Sequence, residues 1–124
     1  MQFQINEDEY YLNISTRLGH IVPDFRSSFD KDDGVYLILG DFGDFLILNI
    51  DKSEIFLKCI DFINEAIEKG KSKTEDAIVS EIFYPIYENN YVLNKIKPEL
   101  SQKALIIFNK FQPNFSASLV WWHK

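Results

Sequence analysis

The stretch Val35–Gly70, VYLILGDFGDFLILNIDKSEIFLKCIDFINEAIEKG, constrains the fold more than any other part of the chain. It is the longest apolar-rich region. In its second half, apolar residues recur as Ile55/Phe56, Cys59/Ile60, Phe62/Ile63 and Ala66/Ile67, with Lys58, Asp61, Asn64, Glu65 and Glu68 on the other side. This spacing predicts an amphipathic helix over Glu54–Lys69, with an apolar stripe wide enough to pack on a layer. Asp51 and Glu54 have the D-x-x-E form of a capping box, and Gly70 is placed to stop the helix. The first half, Val35–Ile50, reads two ways. VYLIL and FLILNI around GDFGD look like a β-hairpin, and two glycines inside a helix would each cost about 1 kcal/mol relative to alanine. Against this, Leu39, Phe42, Phe45/Leu46 and Asn49/Ile50 share one helical face, and the segment has no strong turn dipeptide. On local propensity alone the hairpin is favoured.

The flanks read as helices. Asn6–Arg17 carries a capping residue, Asn6, and an acidic first turn, Glu7–Glu9; Tyr10, Tyr11, Ile14 and Leu18 give it an apolar stripe. Gly19 is a plausible stop, Pro23 blocks continuation, and a short helical turn is expected at Asp24–Phe29. Asp30–Gly34 is a loop by composition. Ser72 and Glu75 repeat the capping-box pattern, and a helix over Lys73–Glu88 would bury Ala77, Ile78, Ile82, Phe83, Ile86 and Tyr87. Pro85 lies inside it and should kink or split it. A short turn follows at Tyr91–Ile96. A last helix, Pro98–Phe111, has proline in its first turn and is closed by Gln112-Pro113-Asn114. The tail, with Trp121 and Trp122, is apolar enough to dock back on the body, with one tryptophan in the core.

The chain has 124 residues, enough for one domain spanning 1–124 with a core that needs no disulfide or metal. Eleven phenylalanines make that core rich in flat rings. The single cysteine, Cys59, sits on the apolar stripe, reads as a packed thiol and suits a reducing compartment. The N-terminus lacks the basic and apolar regions of a secretory signal. No apolar run is long enough to span a bilayer. A cytoplasmic location is therefore expected.

The net charge of −6 is unevenly spread. Residues 1–50 carry nine acids and three bases, whereas residues 98–124 carry one acid and three bases. An acidic front half repels nucleic acid and anionic lipid and attracts basic partners. Recognised catalytic patterns are lacking. His20 and His123 are the only histidines, with no H-x-x-x-H or C-x-x-C spacing for zinc. Asp30, Asp32, Asp33 and Asp41 look superficially like a calcium loop, but position six is Val35 rather than glycine and position twelve is Asp41 rather than glutamate. The letters DFG in GDFGD lack every companion kinase motif. Acidic pairs on the clear helix, Asp61 with Glu65 and Glu65 with Glu68, are the ordinary pattern of a solvated face. The chain is thus expected to be non-enzymatic, without cofactor or metal.

Three segments in order, LGDFGDFLILNIDKSEIFLKCIDFINEAIEKG, SKTEDAIVSEIFYPIYEN and LNKIKPELSQKALIIFNKF, resemble a family of small all-helical bacterial proteins. Its members have a glycine–acid–phenylalanine helix, a charged turn, a helix of the CFDFIE type and a closing helix after a proline. The resemblance covers about residues 35–111. It departs at Ile107 and Phe108, where such proteins often carry tryptophan. Proteins of this kind look like the immunity halves of bacterial toxin–immunity pairs, including contact-dependent growth inhibition. The resemblance implies that Val35–Ile50 is helical. It implies an all-α fold of five to six helices packed as antiparallel hairpins, a short solenoid-like bundle. The implied function is neutralisation of a cognate toxin domain, with a basic nuclease suggested by the acidic surface; a monomer or a 1:1 complex is expected, with no nucleic acid or membrane partner. Acidity then selects the binding residues: Asp30, Asp32, Asp33, Asp41, Asp44, Asp61 and Glu65, with Tyr10 or Tyr11 as aromatic anchor. The alternative is an interaction or regulatory domain without a toxin partner.

Overall fold

A computed structural model describes the backbone of residues 7–122 and, Lys31 excepted, the side chains of residues 7–112. The described residues form helices joined by turns and loops, without a strand. In order they form α1 (Glu9–Leu12), α2 (Ile14–Ile21), a 3-10 turn (Lys31–Asp33), α3 (Val35–Leu48), α4 (Ser53–Lys69) and α5 (Ser72–Ile78). A π-helical turn (Val79–Phe83) joins α5 to α6 (Tyr84–Tyr87), so the three run as one rod. Then come α7 (Asn90–Ile96), a second 3-10 turn (Lys97–Glu99) and α8 (Gln102–Trp122). Counting α1 with α2, and α5 with α6, gives six units, in keeping with the expected five to six. No helix among the described residues is long and apolar enough to cross a membrane.

Helix α4 is the hub. Its predicted stripe is the one it buries, Phe56, Cys59, Ile60, Phe62, Ile63, Ala66 and Ile67, and it packs against α2, α5 and α8. The core is tied together by phenylalanines. Phe42, Phe62, Phe83 and Phe108 are fully buried. Phe25 meets Phe42, and Phe42 meets Phe62, edge-to-face at 5.5 and 5.2 Å. Phe83 and Phe108 do the same at 4.9 Å. Each such pair adds about 0.5–1.5 kcal/mol beyond the area it buries.

The hairpin favoured by local propensity for Val35–Ile50 does not form; the helix implied by the resemblance does. α3 buries Ile38, Leu39, Phe42 and Leu46, with Asn49 and Ile50 just beyond it. Its closest backbone neighbour is the π turn. The two glycines make this possible. A Cβ on Gly43 would lie 3.0 Å from the Glu81 carbonyl oxygen, and one on Gly40 would lie 3.2 Å from Glu81 Oε1. α3 reaches α4 through side chains, Phe42 onto Phe62. The π turn ends two residues before Pro85, which has no N–H to give the Glu81 carbonyl four residues back. The proline is absorbed by widening one turn rather than by splitting the helix.

Several local expectations give way to longer-range partners. Neither anticipated capping box forms at α4 or α5. Asp51 instead accepts a hydrogen bond from Tyr91 Oη and pairs with Lys95 at 3.4 Å. The start of α5 is capped from far away: Asp8 Oδ2 accepts the N–H groups of Lys71 and Thr74, each at 2.9 Å. Its other oxygen caps α1 through Tyr11 N–H at 3.1 Å. Gly70 is extended rather than left-handed; it is glycine because a Cβ would collide with Thr74 Cβ at 2.4 Å. The first helix breaks at Asn13, and α2 continues past Gly19. Asp24–Phe29 is irregular. α7 is capped by the Asn89 side chain, and α8 starts after Ser101 instead of at Pro98. α8 also runs through Pro113, whose missing N–H would have met the carbonyl of Asn109, an exposed residue that water can reach. The expected docking of the tail and of Trp121 or Trp122 lies outside the described side chains.

Candidate functional site

The acidic residues fall into two kinds of surroundings. On the side where α2 meets α4, Glu65 is spent on holding the helices together. Arg17 grips Glu65 with two parallel hydrogen bonds, Nη2 to Oε1 at 2.8 Å and Nε to Oε2 at 2.9 Å. Tyr10 Oη donates to Oε2 at 2.8 Å, and Lys69 lies 3.8 Å away, one helical turn along α4. The Arg17 hydrogen bonds hold the Glu65 carboxyl below its ordinary range, against the opposing effect of burial. Burial, with the Glu65 charge beside it, pushes the Tyr10 phenol well above its ordinary value. Glu65 and Tyr10 are therefore partners of each other. Asp61 stands exposed on α4, one turn before Glu65.

The α3 face is different. Positions 36, 37, 40, 41 and 44 recur at helical spacing and put Tyr36, Leu37, Gly40, Asp41 and Asp44 on the side away from the core. With Glu81 and Pro85 from the π-turn region and Phe29 at one end, they line a groove of about 370 Å³. Bare Gly40 opens its floor, next to Glu81 Oε1. The walls are apolar and uncovered: Phe29, Tyr36 and Leu37 are 38%, 42% and 48% exposed. Among the described residues none of the ion pairs involves Asp41, Asp44 or Glu81. Asp41 Oδ2 accepts hydrogen bonds from Ser27 Oγ, Ser28 N–H and Ser28 Oγ at 2.8–2.9 Å, fastening the 24–30 loop to α3. The Ser28 backbone bond is the main cause of its lowered pKa, so it stays charged. Asp44 is exposed, and its carboxylate takes part in none of the side-chain hydrogen bonds or ion pairs among the described residues. Partial burial raises the Tyr36 phenol above its ordinary value, with Tyr11, Asp76 and Glu81 adding to the effect.

A smaller groove of about 300 Å³ adjoins the start of α3, bounded by Tyr11, Leu12, Asp32 and Val35. Lys73 stands at its margin, its Nζ 5.8 Å from the Tyr11 ring centre. Asp30 and Asp33 are exposed in the turn before α3, where Asp30 N–H donates to Asp33 Oδ2 at 2.8 Å. The structure thus brings Tyr11, Asp32, Asp41 and Asp44 to the two grooves along α3, with Asp30 and Asp33 beside its start. Tyr10, Asp61 and Glu65 lie with α4. Glu81, Tyr36, Leu37 and Phe29 were missed by sequence reasoning. The 36–37–40–41–44 spacing would have found two of these, Tyr36 and Leu37, had the segment been taken as helical from the outset; Glu81 enters only through the packing of the π turn on the glycines.

Among the described residues no three or more of His, Cys, Asp and Glu are disposed to hold a metal ion. Cys59 is buried in α4, and burial pushes its thiol up to about 12, which makes it a packing group at neutral pH.

A family model described as a domain of unknown function, DUF7674, matches residues 15–115. No curated protein and no solved structure matches the chain. The match covers most of the sequence, and the chain belongs to that family.

Proposed function

We propose that this family member is a non-catalytic binding protein that captures and neutralises a basic protein domain on its α3 face, as the cytoplasmic immunity partner of a bacterial toxin. One observation carries the binding half of the reading. Glu65, where α2 meets α4, is spent internally on Arg17 and Lys69, whereas Asp41, Asp44 and Glu81 line a groove with exposed aromatic and aliphatic walls and form none of the ion pairs among the described residues. Carboxylates without an ion-pair partner beside apolar surface steer a basic partner in and leave the apolar residues to hold it. The toxin half rests on the resemblance of residues 35–111 to immunity proteins. A nuclease toxin presents cations to phosphate, and an acidic face competes for those cations. In the same reading α3 with α4, and the α5–α6 rod with α8, are successive helical hairpins of a short solenoid. The complex is 1:1.

The experiment is growth rescue. The protein encoded directly upstream of this chain's gene is expressed in a bacterial host with and without the chain. Restored growth, with a complex that weakens as salt rises, supports the reading. Absence of toxicity or of rescue overturns the immunity assignment and leaves the adaptor or regulatory alternative, which uses the same face on another basic partner.

A further inference from the structure

The mixed apolar and acidic groove between α3 and the π turn is too small for a whole secondary-structure element and too acidic for an uncharged ligand. Its volume, about 370 Å³, lies at the small end of ligand sites and has room for one or two side chains. Its apolar walls, Phe29, Tyr36, Leu37 and Pro85, are interleaved with three carboxylates that have no cation near them among the described residues. Phosphate, nucleic acid and anionic lipid are repelled by the same three carboxylates. A long cationic side chain meets both demands at once: its aliphatic stem lies along apolar surface while its charged end reaches the carboxylates. A guanidinium suits it better than an ammonium, because its planar fork bonds carboxylates bidentately and stacks on an aromatic ring such as Tyr36.

We infer that this groove is the docking site for a protein segment that inserts an arginine between Tyr36 and the Asp44–Glu81 carboxylates and lays a neighbouring apolar side chain on Leu37. The inference rests on the binding reading above and adds the chemistry of the partner segment. It also assigns residues that the acidic-surface argument left out. Leu37 and Tyr36 form the apolar half of the site, and Gly40 keeps its floor open by adding no side chain of its own. Asp41 serves mainly to hold the wall, since its Oδ2 is taken by Ser27 and Ser28.

The test is a two-dimensional amide NMR titration of the full chain with four probes: a twelve-residue peptide alternating arginine and leucine, the same peptide with serine for leucine, the same with glutamate for arginine, and spermidine. The arginine–leucine peptide is expected to shift amides of residues 36–44 and 80–86. Asp44→Lys and Leu37→Ser should each weaken it about tenfold, while Asp61→Lys on α4 changes it less than about twofold. Circular dichroism establishes that each variant is folded; if Asp44→Lys is not, Leu37→Ser carries the comparison. Equal binding of spermidine or of the arginine–serine peptide overturns the inference, because the apolar walls would then play no part. So does a shift map centred on α4, or an equal effect of Asp61→Lys. Failure of the two readings is separable. A groove-mapped peptide without growth rescue removes the toxin assignment and keeps the groove. Growth rescue that survives Asp44→Lys and Leu37→Ser removes the groove and keeps the toxin assignment.

Discussion

Asp8 joins three backbone N–H groups from two separate stretches of chain, and is only 5% exposed. Burial alone would raise its pKa, but the bonds from Thr74, Tyr11 and Lys71 outweigh it and hold the carboxyl below its ordinary value. Asp8→Asn keeps the shape but gives up the charge, and should cost about 1–3 kcal/mol in urea unfolding at pH 7. The sign with pH follows. A carboxyl lowered by folding contributes its stability above the unfolded pKa, about 3.9, and loses it as pH falls through the lower folded value. The gap between wild type and Asp8→Asn should therefore close as unfolding is measured from pH 5 downward; Glu65, also lowered, gives acid sensitivity of the same sign. A second buried polar group makes an independent test. Tyr87 Oη donates to the Phe108 carbonyl at 2.7 Å inside the core, and Tyr87→Phe should cost about 1 kcal/mol by thermal or urea unfolding. Neither contact was legible in the sequence. Asp8 reads there as one of three acids in a first turn, because its partners lie 63 and 66 residues away.

At the scale of elements, α4 was legible and α3 was not, for one physical reason. The stripe of α4 repeats at helical spacing with polar residues opposite, so the pattern alone decides it. α3 is apolar nearly all round and contains two glycines, so its pattern fits a strand as well as a helix. What makes it a helix is the rod behind it: Gly40 and Gly43 let the π turn come close, and that packing outweighs their poor helix propensity. The two glycines should therefore respond with opposite signs. Gly43→Ala puts a methyl 3.0 Å from the Glu81 backbone oxygen in a buried place and should destabilise by about 1–3 kcal/mol. Gly40→Ala meets only the movable end of the Glu81 side chain, at 3.2 Å, and gains helix propensity; it should be neutral or stabilising by up to about 1 kcal/mol. Chemical denaturation of both variants checks this. Capping was misread for a related reason. Asp51, Glu54, Ser72 and Glu75 have the right spacing, but Asp51 is drawn to Tyr91 and Lys95, and the start of α5 is served by Asp8.

For the whole molecule, charge was legible in amount and only partly in place. The acidic front half is evident from the sequence, and four of the nine residues it nominated, Tyr11, Asp32, Asp41 and Asp44, line the grooves along α3. Sequence alone cannot tell a carboxylate that is already paired from one that is open, and Glu65 and Asp44 look alike until Arg17 is seen gripping the first. This sorting sets what the molecule presents to a partner: an acidic, aromatic α3 face on one side and, on the other, Glu65 already held by Arg17 with Asp61 exposed one turn before it. Binding through that face should weaken steeply between low and high salt, mainly by slower association, which stopped-flow measurement on the isolated complex would register. The most direct measurement of the central claim compares growth rescue by wild type, Asp44→Lys and Asp61→Lys against the protein encoded upstream, at matched expression. Rescue by wild type and Asp61→Lys, with loss for Asp44→Lys, is the predicted result; equal rescue by all three would contradict the assignment of the α3 face as the binding surface.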